Sequence, residues 1–107
     1  MLSPTVSIAD ELAVRLRRLY GGRFVALYAC NAPVFAADED AADYDFIVVL
    51  RGDVDSAEEM FAMSRDVGEL CLEHTCVISV FPIGEGEAAV PSSHAIAVAL
   101  REATRVA

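Results

Sequence analysis

The chain has 107 residues, 55% of them apolar, and a formal net charge of −9. That length suits one small domain, residues 1–107, and no stretch of ~18 or more consecutive apolar residues is present to span a membrane as a helix. All eight basic residues are Arg and form no stripe, which argues against direct binding of nucleic acid through its phosphates.

The opening MLSPTVSIADEL has no basic region followed by an apolar one, so no secretory signal is expected. Ser7-Ile8-Ala9-Asp10 can cap a helix start, although such a box normally ends in Glu or Gln. Ile8, Leu12, Leu16, Leu19 and Tyr20 then recur at helical spacing, with Arg15, Arg17 and Arg18 largely on the solvated side. Gly21-Gly22 stops this helix. RFVALYAC, residues 23–30, reads as the first strand. Residues 31–42, NAPVFAADEDAA, form a connection that Pro33 and the Asp38-Glu39-Asp40 acids place in part at the surface.

DYDFIVVL, residues 43–50, is the second strand. Side chains alternate along a strand, so Asp43 and Asp45 share one face with Ile47 and Val49. Arg51-Gly52-Asp53 is a turn. Asp55-Ser56-Ala57-Glu58 makes a capping box for a second helix, with Met60, Met63, Val67, Leu70, Cys71 and His74 along one stripe. CVISVFPI, residues 76–83, is the third strand. GEGEAAVPSS is a loop ending in an N-cap at Ser92 or Ser93, and HAIAVALREATRVA, residues 94–107, is a last helix.

The predicted fold is therefore α/β (α+β), a small mixed sheet of about three main strands with helices packed on it. The helix between the second and third strands makes those two parallel, by a right-handed crossover. The first two strands can run antiparallel, which puts Cys30 and Asp43 at the same end of the sheet.

Two carboxylates at i and i+2 on a strand can hold a hard cation such as magnesium, which in turn clamps nucleotide phosphates. The same pattern also describes a merely polar strand end. Cys71, His74 and Cys76 form C-x-x-H-x-C, but zinc needs a fourth ligand and only Cys30 is on offer; buried thiols and a surface His are the simpler reading. Three cysteines without a pattern are expected to be reduced thiols of a cytoplasmic protein. The last helix is apolar nearly all round, through Ile96, Ala97, Val98, Leu100, Ala103 and Val106. A small domain has little room to bury such a helix within itself, so a homodimer or protein partner is expected.

Residues 11–88 resemble the minimal nucleotidyltransferases of the polymerase-beta-like superfamily. The resemblance rests on LRRLYGGRFVALY as opening helix and first strand, on ADYDFIVVLRG as the Asp-x-Asp strand, and on LCLEHTCVISVFPI as the third-strand region. It implies Asp43 and Asp45 as catalytic magnesium ligands, and ATP as the donor of AMP to a hydroxyl of a protein or small molecule. The family's Gly-Ser turn, which binds the nucleotide phosphates, falls on Ala29 and Cys30. The segment after it, normally rich in Arg and Gly, reads Asn31, Ala32, Pro33 and Val34. A methyl at Ala29 is expected to crowd a phosphate, a thiol donates weakly, and Pro33 removes an amide. The family's third carboxylate has no counterpart in CVISVFPI: Ser79 stands near its place, and Glu73 is the nearest acid. These departures imply a non-catalytic or weakly active member that works by binding a partner. Small proteins of this kind act as antitoxins beside helical HEPN-type toxins.

Overall fold

A computed structural model of the protein describes residues 4–30 and 43–107, with side chains from Ile8 onward. Asn31, Ala32, Pro33, Val34 and the Asp38-Glu39-Asp40 cluster lie outside the described residues.

Helix α1 runs from Pro4 to Tyr20, so Ser7 lies within the helix and does not cap it. Proline suits the first helical position because the amide it lacks has no partner there in any case. Ile8, Ala9, Leu12, Ala13 and Leu16 form its buried stripe, while Leu19, expected with them, is 41% exposed. Gly21 ends the helix at φ +56°, a left-handed conformation that costs glycine nothing. A single 3-10 turn leads into strand β1, Phe24–Cys30.

Strand β2, Asp43–Leu50, is buried without interruption from Phe46 to Leu50, as befits a central strand covered on both faces. Helix α2, Ser56–His74, starts where the capping box is expected: the Asp55 side chain accepts from the Glu58 amide at 3.1 Å. It ends at Thr75, whose φ of 50° makes a left-handed cap without glycine. Strand β3, Val77–Gly84, follows.

Two departures from expectation come after β3. The GEGEAA stretch, read as loop, forms a one-turn helix α3, Glu85–Ala89, and Ser92 then donates through its amide and hydroxyl to Glu87. Ser93 is left as the N-cap of α4, His94–Glu102. That last helix stops five residues short of its predicted end. Thr104–Arg105 instead makes a short strand β4 beside β1. The Leu27 amide donates to the Ala107 carbonyl at 2.9 Å, and the Val106 amide donates to the Leu27 carbonyl at 2.8 Å. The outer edge of β1 carries backbone groups that need partners, and that demand outweighs a weak local helix preference.

The sheet order is β3-β2-β1-β4. Strands β1 and β2 are antiparallel, β2 and β3 parallel, as the order of elements predicts. Helices α1 and α2 cover one face around Leu27, Phe46, Val48, Leu70 and Val80. Helices α3 and α4 cover the other, around Ala26, Ile47, Val49 and Ile83. Among the described residues no helix is long and apolar enough to cross a membrane.

Candidate functional site

Strand register builds the site. Cys30 is paired with Asp45 across β1 and β2, and Asp45 with Ser79 across β2 and β3. A thiol, a carboxylate and a hydroxyl thus stand in one row across three strands, on the face covered by α4. Asp43, one step further out, is exposed and opposite Val77. Residues two apart on a strand share a face, so Asp43 and Asp45 do lie on one side of the sheet.

Ala29 lies on the other side. It is 2% exposed and packed in the core formed with α1 and α2. Its methyl therefore points away from the row of Cys30, Asp45 and Ser79, and the crowding expected there from the sequence has no basis on that face. Alternation along β1 separates Ala29 from Cys30: the first belongs to the core, and only Cys30 reaches the site.

Above the row, between it and the first turn of α4, lies an open groove of about 340 Å³. It is lined by Cys30, Asp45, Ile47, Ser79 and Phe81 of the sheet, by Ala95, Ile96 and Ala99 of α4, and by Met60 of α2. A second hollow of about 560 Å³ adjoins it, sharing Cys30, Ala95 and Ala99 and reaching His94, Val98 and Glu102. The volume of the first groove is in the range of small-molecule sites, but the described residues that line it are apolar apart from Asp45, Ser79 and the thiol. None of the described residues lining the first groove is cationic, so a triphosphate there finds neither Arg nor Lys.

Burial pushes the Cys30 thiol above its ordinary pKa, and the charge of Asp45 pushes the same way. Both effects disfavour thiolate, the form needed in a nucleophile or a metal ligand.

Asp43, Asp45 and Ser79 are hard oxygen donors, a set that suits magnesium. Magnesium of this kind is normally shared with substrate phosphates, and the described residues lining the groove include no cation to hold those. The two carboxylates suit the ion, while the described residues of the lining offer the phosphates of a nucleotide no cation.

No protein family, no curated protein and no solved structure matches this chain. The residues themselves therefore carry the functional argument.

The remaining motif comes apart in three dimensions. The Cys71 sulfur accepts the Ile78 amide at 3.3 Å, and burial, with a smaller contribution from Cys71, raises the Cys76 thiol. His74 turns away from both thiols, its Nε2 lying 2.5 Å from Oε2 of Glu11 on α1. Arg15, expected on the solvated side, instead bridges α1 to α2. Its guanidinium donates to Glu69 at 2.5 Å, Asp66 at 3.1 Å and Glu73 at 3.4 Å. Met60 and Phe81 also went unread as site residues. Met60 sat in a helical stripe and Phe81 in an apolar strand, and neither pattern distinguishes a groove wall from core.

Proposed function

We propose that this protein is a nucleotidyltransferase-like domain that does not transfer nucleotides, or does so weakly, and works by binding a protein partner, as antitoxins do beside HEPN-type helical toxins. One observation carries this reading. Residues 95–100 of α4, AIAVAL, are six consecutive apolar residues, and none of the helix is fully buried. Ile96, Ala99 and Leu100 pack on the sheet. Val98 and Ala95 instead border the open hollow beside Cys30. A helix apolar on more faces than the described residues cover suits the surface of another chain.

The groove supports the same reading. It joins apolar walls to the half-buried carboxylate of Asp45, and none of the described residues lining it is a cation that could hold phosphate. The alternative is an active enzyme that moves AMP from magnesium-bound ATP to a hydroxyl. It is favoured by Asp43 and Asp45 on one face with Ser79 in register beside Asp45.

Calorimetric titration with magnesium and ATP separates the two. Partner binding without transfer predicts no heat of binding, or binding only at millimolar concentration. A micromolar Kd that disappears in Asp43→Asn would overturn it in favour of the enzyme.

A further inference from the structure

Packing of α1 against α2 gathers a second set of chemical groups, on the side of the sheet away from Asp43 and Asp45. Glu11 comes from α1, and Glu73 and His74 from the last turn of α2. One donor atom from each, two carboxylate oxygens and an imidazole nitrogen, all lie within 4.8 Å of one another. We infer that Glu11, Glu73 and His74 form a binding site for a divalent transition-metal ion of the zinc class that fastens α1 to α2.

Donor chemistry selects the ion. Magnesium and calcium take shells of oxygen, whereas an imidazole with two carboxylates suits zinc, cobalt or nickel. Three protein donors with the remaining positions left to water is a normal zinc arrangement. Bonds of about 2.1 Å in a tetrahedral shell place donors roughly 3.4 Å apart. The His74–Glu11 pair is hydrogen-bonded at 2.5 Å and must open by roughly 1 Å to admit the ion. Glu73 must turn in to meet it. Its carboxylate side chain is 52% exposed, so rotation about its own bonds meets little resistance.

Charge favours the ion as well. Glu11 and Glu73 together balance a dication. The nearest cation, Arg15, makes its longest contact to Glu73 and its two shorter ones to Glu69 and Asp66. Arg15 is thereby more than balanced by its other partners, and the local field stays negative. A carboxylate has two oxygens, so Glu73 can keep Arg15 on one while ligating through the other, with the guanidinium orienting the ligand. His74 is the last residue of α2, and the left-handed turn at Thr75 follows it directly.

The test uses the whole chain and cobalt or zinc chloride. Titration should give one ion per chain, with a melting temperature that rises as the ion is added. Glu11→Gln and His74→Gln keep shape and remove a ligand. Each should weaken binding by at least about tenfold, since even the partners that orient metal ligands are worth that much. The double change Cys71→Ser, Cys76→Ser should leave binding unchanged, and the cobalt complex should lack the intense near-ultraviolet band of thiolate ligation. Absence of binding at millimolar ion would overturn the proposal. So would binding that survives both Glu11→Gln and His74→Gln, or a thiolate band that vanishes with the cysteines.

Discussion

Cys30 stands in register with Asp45, and its environment determines what it can do. Its raised pKa comes first from burial and then from Asp45. The folded state therefore favours the neutral thiol. Stability from this group is fully present below the ordinary thiol pKa and falls as pH climbs from there towards the raised folded value. With Cys71 and Cys76 changed to Ser, alkylation of native Cys30 by iodoacetamide should lag the urea-unfolded chain from about pH 7 to 9, because only thiolate reacts. Equal rates in the two states would show that the burial and the Asp45 contact do not act on this sulfur. The facing of Asp43 and Asp45 was legible from alternation alone. That Ala29 serves the core while Cys30 serves the groove follows from the same alternation, but only once the register identifies which face of β1 meets α4.

Among the elements, α2 was the most legible and the C-terminal segment the least. The Asp55 capping box and the apolar stripe through Met63 and Leu70 are local signals, and both are realised. ATRVA carries no comparable signal, and its conformation is imposed by the vacant edge of β1. Truncation after Glu102 should accordingly uncover the Leu27 amide, which now donates to Ala107. We expect hydrogen exchange at Leu27 to speed up sharply, with a loss of stability of about 1–3 kcal/mol from the buried groups left unpaired. Unchanged exchange at Leu27 would mean that β4 does not protect this edge. The Arg15 cluster lies at the same scale. Side-chain hydrogen bonding from Arg15 holds the Glu69 carboxyl below its ordinary pKa, and this link between α1 and α2 joins residues 54 positions apart.

For the whole molecule, the decisive feature is a sheet with unequal cover. The α1 and α2 layer buries a continuous core from Ile8 to Val80, while the α4 layer closes over Ile47 and Val49 and, among the described residues, leaves a groove at the Cys30 end. The proposed partner surface lies there, and Val98→Glu tests it. Val98 is half-buried at the border of the hollow, so a charge there should cost the isolated domain no more than about 1 kcal/mol. The same change should abolish a homodimer or partner complex, read by light scattering or co-purification. A wild-type chain that stays monomeric at high concentration and takes no partner would remove the basis for that surface. An unfolded Val98→Glu variant would instead assign the side chain to the core.

The apolar periodicities, the Asp55 cap and the alternation of DYDFIVVL needed no coordinates. Each is a relation among residues close in sequence, and the backbone geometry of helix and strand fixes its consequence. The order of strands and helices also implied the antiparallel and parallel pairings that β1, β2 and β3 adopt. Tertiary structure alone decided the row of Cys30, Asp45 and Ser79, the capture of 104–107 by β1, and the meeting of His74 with Glu11. In each of these the partner lies far along the chain, and the choice is made by competition for a vacant backbone edge or a charged neighbour. His74 shows it most plainly: its sequence neighbours Cys71 and Cys76 suggested one chemistry, and helix packing gave it another.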